Sequence, residues 1–181
     1  MSTNEPLKWS MQELNRLSAD EFKSSEKQQV ILVLDNVRSL HNVGSIFRTS
    51  DAFAIQKLYL CGITGQPPHR DIHKTALGAT ESVAWEHVPT TVQCVQQLKQ
   101  VGWKVYAIEQ VKGSVYLDKM SFSSGEKIAF VFGNEVFGVE EEVLRECDGF
   151  IEIPQFGTKH SFNITITVGI VLWHYLITSA K

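Results

Sequence analysis

The stretch Gly149-Phe150-Ile151-Glu152-Ile153-Pro154-Gln155-Phe156-Gly157-Thr158-Lys159-His160-Ser161-Phe162-Asn163 decides the fold. Its first five residues form a strand-like run that stops at a proline. A polar loop follows, and residues 161–178 read as a long apolar helix. Strand, loop and helix in that order bring backbone N–H groups, a serine hydroxyl and an Asn amide to one helix start. Ser161 suits the N-cap; Asn163 either turns inward to a site or merely occupies the first turn. The β-branched run over residues 164–168 lowers helix propensity, so a strand competes there. As a helix, the segment is apolar nearly all round, which fits burial or packing against a second chain.

Upstream, strands and helices alternate. Residues 30–34 are a five-residue apolar run with β-branched members, as in a buried parallel strand. Residues 57–61, 103–108 and 128–132 read as further strands, and 82–88 as a short one. Asn42 or Ser45 opens a helix carrying Ile46, Phe47 and Phe53. Helices also span 92–101, with Gly102 just beyond, and 139–147. Residues 62–80 read as a long polar loop. Near the start, Ser10 with Glu13 and Ser18 with Glu21 are capping boxes, and Met11, Leu14, Leu17 and Phe22 form one apolar stripe. Residues 1–28 are therefore expected to be a helical extension. Residues 29–181 are expected to be one α/β domain, its sheet mainly parallel with helices on both faces. Ligands of such sheets sit outside the carboxyl ends of the strands.

The 181 residues suit a single domain with a sizeable core. Apolar residues make up 43% and charged residues 20%, a globular rather than disordered composition. A net charge of −3 gives no overall attraction for nucleic acid, so RNA would need a local basic patch and salt-sensitive contacts. Cys61, Cys94 and Cys147 are odd in number and lie far apart, which predicts reduced thiols and a cytoplasmic location. Residues 1–9 lack an apolar signal core. Residues 164–177 fall short of the roughly 20 that a membrane span needs, so no membrane partner is expected.

Three polar clusters stand at expected strand ends. In Asn42-Val43-Gly44-Ser45-Ile46-Phe47-Arg48-Thr49, the residues Asn42, Ser45 and Arg48 share one side of a helix. There Arg48 either grips a phosphate or is a surface charge behind a capped helix. In Phe132-Gly133-Asn134-Glu135-Val136-Phe137-Gly138, glycine lets a ligand approach the backbone. Glu135 there either orients an arginine or ribose, or favours a helix N-terminus. The third cluster is Ser161 with Asn163. One basic loop, His69-Arg70-Asp71-Ile72-His73-Lys74, and the single charges Arg38 and Lys159 add candidate phosphate contacts. His69 and His73 have no evident third ligand, so no metal is expected.

The ordered set N-x-G-x-x-x-R-T, F-G-N-E-x-x-G and I-P…S-x-N before an apolar helix resembles the SpoU/TrmH class of RNA 2′-O-ribose methyltransferases, in the SPOUT superfamily. The similarity spans residues 30–178. It departs at Phe162, where leucine is common, and at His41, where proline is frequent. The resemblance implies an α/β-knot, in which a C-terminal trefoil threads a preceding loop, and a homodimer joined through the last helix. It implies that S-adenosylmethionine is held by backbone groups around Ile108, Gly133, Ile153 and Phe162, and that the substrate is tRNA or rRNA. It assigns the catalytic set to Arg48, Asn42, Glu135, Ser161 and Asn163. Arg48 is the residue nominated for the proton path. A neutral guanidine is rare, so orienting the ribose and stabilising its developing alkoxide is the preferred role. A catalytically silent RNA-binding dimer and an RNA base methyltransferase are the competing readings.

Overall fold

The computed structural model describes residues 8–10, 13–14 and 16–179. Its elements run α1 (Ala19–Ser24), β1 (Gln28–Asp35), α2 (Leu40–Ala52), β2 (Ile55–Cys61), α3 (Arg70–Ala76), α4 (Ala79–Ser82) and β3 (Trp85–Val88). Then come α5 (Thr91–Gln100), β4 (Lys104–Ile108), β5 (Val115–Tyr116), β6 (Ile128–Phe132), α6 (Glu141–Glu146), β7 (Gly149–Glu152) and α7 (Ile164–Ser179). The strands form one sheet in the order β3-β2-β1-β6-β4-β7-β5, and every neighbouring pair is parallel.

Side-chain alternation explains the layering. In β1, Val30, Leu32 and Leu34 join one core, while Ile31 and Val33 join the other. In β6, Ile128, Phe130 and Phe132 split from Ala129 and Val131 in the same way. The first core is closed by α2, α3 and α7, through Ile46, Phe47, Ile72, Val168 and Val171. The second is closed by α5 and α6, through Cys94, Val95, Leu98 and Val143. A strand apolar at every position is thus buried on both faces. Each fully buried Leu, Ile or Phe contributes roughly 1.5–3 kcal/mol relative to exposure.

Several expected boundaries move, each for a local reason. Neither Asn42 nor Ser45 opens α2: Ser39 is its N-cap, and the Ser39 hydroxyl accepts the Asn42 N–H at 3.3 Å. Gly44 serves contact, since a Cβ there would lie 2.3 Å from the Ile72 carbonyl of α3. The expected loop over residues 62–80 contains α3 and α4. His69 starts α3 by accepting the Asp71 N–H on Nδ1 at 3.1 Å, a cap outside the usual Ser/Thr/Asp/Asn set. Nor does Ser161 cap the last helix. Asn163 does so, its Oδ1 accepting the Thr165 N–H at 2.8 Å and its carbonyl the N–H groups of Ile166 and Thr167. The β-branched run is helical because Ile164, Val168, Val171 and Leu172 bury against the sheet, which overrides propensity. The Ser18–Glu21 capping box starts α1. Ser10 and Glu13 also exchange hydrogen bonds, yet only a turn follows; Met11 lies outside the described residues.

One side of α7 remains uncovered. Ile166, Trp173 and Ile177 are exposed although apolar. No helix among the described residues is long and apolar enough to cross a membrane.

Candidate active site

A cavity of about 510 Å³ opens at the carboxyl ends of three adjacent strands, β6, β4 and β7. Its size falls within the range of roughly 300–1,000 Å³ common for small-molecule sites. Ile108, Gly133, Ile153 and Phe162, the four residues expected at a cofactor, all line it. Glu135, Ser161 and Asn163 line it as well. The loop after β6 folds back tightly: Asn134 and Gly138 exchange backbone hydrogen bonds at 2.9 Å each. At Gly133 a Cβ would sit 2.0 Å from the Gly138 carbonyl carbon, so only glycine permits that closure.

The turn presents Glu135 to another element. Its carboxylate accepts the N–H groups of Arg38 and Ser39, each at 3.2 Å, and the Asn42 side-chain amide at 3.0 Å. Glu135 thus sits at the N-terminus of α2, satisfying orphan donors and facing the positive end of the helix. Burial works to raise its pKa. Hydrogen bonds from its own backbone, Asn42, Arg38 and Ser39 outweigh that and hold the carboxyl below the usual range. Asn42 in turn accepts a 3.4 Å contact on Oδ1 from the Asn163 amide. Residues 42, 135 and 163, far apart in sequence, therefore form one polar chain at the cavity rim.

Arg48 is not part of it. It is exposed, lies outside the cavity lining, and makes no hydrogen bond or ion pair with any described residue. Two turns of α2 separate it from the cap that Asn42 shares with Glu135, which explains the separation within one chain. The basic candidates are exposed too. Arg38 precedes α2, while His69, Arg70 and Lys74 lie at or on α3, which packs against α2. Lys74 pairs with Asp71 at 2.8 Å, and that hydrogen bond leads the interactions holding the Asp71 carboxyl below the usual range. Lys159 lies apart, on the exposed segment before α7. Among the described residues no three His, Cys, Asp or Glu groups cluster as metal ligands, and all three cysteines are free.

Three contributors carry roles that the sequence did not assign to them. Asn36, in the left-handed conformation at φ 55°, donates to Glu140 at 2.7 Å, accepts the Ile63 N–H at 3.0 Å, and receives the Asn134 amide on its carbonyl at 2.7 Å. It ties the ends of β1, β2 and β6 together. Asn134 Oδ1 accepts the N–H groups of Val136 and Phe137. Glu109, just past β4, accepts the Val139 N–H at 3.0 Å. The signal available for Asn36 was its place directly after an apolar strand, where Asn tolerates positive φ.

The SpoU rRNA Methylase family model matches residues 29–173. The 23S rRNA (guanosine-2'-O-)-methyltransferase of Vibrio cholerae is 28% identical over 162 residues, covering 89% of this chain and 64% of the relative. The chain therefore spans just under two thirds of that protein's length. The crystal structure of the A. aeolicus TrmH/SpoU tRNA modifying enzyme matches with a TM-score of 0.76 at 28% identity, over 86% of this chain and 78% of that one. The AdoMet-bound rRNA methyltransferase from Sinorhizobium meliloti matches with a TM-score of 0.75 at 27% identity, over 88% and 60% respectively.

Proposed function

The chain belongs to the SpoU rRNA Methylase family, and on that premise we propose that it transfers a methyl group from S-adenosylmethionine to a ribose 2′-hydroxyl of tRNA or rRNA. The observation that carries the reading is the Asn42–Glu135–Asn163 chain at the rim of the cavity where Ile108, Gly133, Ile153 and Phe162 meet. The cavity suits the cofactor. Among the described residues its lining includes Glu135 and Glu152 and no lysine or arginine, a negative surround for a sulfonium and an ammonium. Glycine at 133 leaves backbone open to close approach. When bound, the cofactor supplies a methyl already activated on sulfur, so the chain needs to add alignment and charge stabilisation.

Glu135 holds the start of α2 and Asn42; Asn163 continues that chain from the start of α7, and Ser161 lines the cavity beside it. Arg48 orients the ribose and stabilises the oxygen as it loses its proton. It is exposed and unpaired among the described residues, and α2 packs on α7, whose Ile166, Trp173 and Ile177 are uncovered. We take α7 as a homodimer interface, with Arg48 completing the site of a two-fold partner. Arg38, His69, Arg70, Lys74 and Lys159 hold RNA phosphates. The family premise also supports a trefoil knot in the C-terminal segment, a cytoplasmic location, and division into a 1–28 extension and a 29–181 catalytic domain.

The test is transfer of labelled methyl from S-adenosylmethionine to total RNA from a strain lacking the protein, followed by nucleoside digestion. Label in 2′-O-methylated nucleosides supports the reading. Label on a base makes the protein a base methyltransferase. Cofactor binding by calorimetry without transfer makes it a silent RNA-binding dimer.

A further inference from the structure

Glu109 stands at the end of β4 and lines the cavity, but its carboxylate is already engaged by the backbone. One oxygen accepts the Gln110 N–H at 2.9 Å, and the other the Val139 N–H at 3.0 Å. Val139 closes the turn that begins at Gly133. Apart from the bonds of Glu135 to the start of α2, the turn's other ties come from inside it or from the residue after β1: the Asn134–Gly138 bridge, Asn134 Oδ1 on Val136 and Phe137, and Asn134 Nδ2 on the Asn36 carbonyl. Glu109 is the tie from β4. Glu135, at the centre of this turn, is what the N–H groups of Arg38 and Ser39 and the Asn42 amide bind.

We propose that Glu109 is a positioning residue for methyl transfer: it fixes the turn so that Glu135 meets the N-terminus of α2 and holds Asn42 in place. A hydrogen bond from a backbone N–H to a carboxylate is about twice as strong as one between neutral groups. Glutamine can serve only one of the two N–H groups and turns its own NH2 on the other. The role in catalysis rests on the methyltransferase reading; the mechanical link does not.

The experiment compares the full-length wild type with Glu109→Gln, Glu135→Gln and the double variant. Amide hydrogen exchange on the free protein tests the link. In Glu109→Gln, exchange should speed up about tenfold or more at Val139 and also at Arg38 and Ser39, because local opening frees amides that share one tie. Acceleration at Val139 alone would reduce Glu109 to a local loop tie and overturn the proposal. In the transfer assay kcat should fall about tenfold, while calorimetric affinity for S-adenosylmethionine stays within about twofold. Weaker cofactor binding with unchanged kcat would make Glu109 a cofactor ligand instead. The double variant should be no slower than Glu135→Gln, since residues acting through one another are not additive. Multiplying defects contradict the proposal. If Glu109→Gln melts below the assay temperature, Glu109→Asp, which keeps the charge but shortens the reach, is read by the same criteria. A wild type that transfers no methyl refutes the function while leaving the exchange result to decide the link.

Discussion

The β6-β4-β7 end of the sheet and the outer surface of α2 and α3 are built in opposite ways. At the strand ends, every expected cofactor residue reaches one cavity, and the turn carrying Glu135 is closed by backbone and side-chain bonds. On the helical surface, Arg48 and Arg70 are exposed, and the local interactions around His69 and Lys74 are with Asp71. One region is complete within a chain; the other offers charges that await something else. In the proposed mechanism that contrast separates cofactor binding from substrate handling, and each can be removed without the other.

The largest expected effect comes from Arg48→Ala. Loss of a donor aimed at developing negative charge costs on the order of 10²–10³ in turnover. Calorimetric affinity for S-adenosylmethionine should be unchanged. If α7 joins two copies as proposed, Trp173→Glu should give a comparable loss by splitting them, seen as a halved mass in sedimentation with cofactor binding retained. Mixing Arg48→Ala with a cavity-blocked Gly133→Val chain should restore part of the activity if Arg48 acts across the pair.

Gly133→Ala sharpens the contrast from the other side. Its Cβ would lie 2.1 Å from the Val139 nitrogen, so the turn must open. Cofactor affinity should fall roughly tenfold or more, with RNA binding by filter retention unaffected. Equal damage to both activities would mean that the two regions are not separable.

A smaller effect concerns acid. The folded-state pKa of Glu135 lies below its ordinary value of 4.5, so its contribution to stability is complete above that value and is lost as pH falls through the folded-state pKa. Glu135→Gln should lower the melting temperature by about 2–4 °C at pH 7, and the gap should close below the folded-state pKa. A gap independent of pH would show that charge at Glu135 contributes nothing.

The smallest effects belong to the phosphate contacts. Arg70→Ala or Lys74→Ala should weaken RNA binding a few-fold and flatten the dependence of log affinity on log salt by about one each. Lys74 should contribute less than Arg70, because Asp71 already holds it.

The sheet was legible because residues 30–34 of β1 and all of β6 are apolar, and a Gly or Pro follows within two residues of the ends of β2, β3, β6 and β7. The residues that meet at the cavity were legible through the motif order around Gly133, Ile153 and Asn163. Helix starts were less so. Ser39 and Asn163 compete with nearby residues of equal capping propensity, and an imidazole cap at His69 hid α3 inside an apparent loop. The ties made by Glu109, Asn36 and Asn134 could not be read because their partners lie up to 104 residues away, on elements adjacent only in the folded domain. The position of Arg48 outside its own cavity could not follow from helical spacing, which says who shares a face and not what that face meets.

The most direct measurement is mass spectrometry of nucleosides from the RNA of a strain lacking this protein, with and without the wild-type or Arg48→Ala chain supplied back. The account predicts one missing 2′-O-methylated ribose that wild type restores and Arg48→Ala does not. An intact set of ribose methyls in the deletion strain, or full restoration by Arg48→Ala, would contradict it.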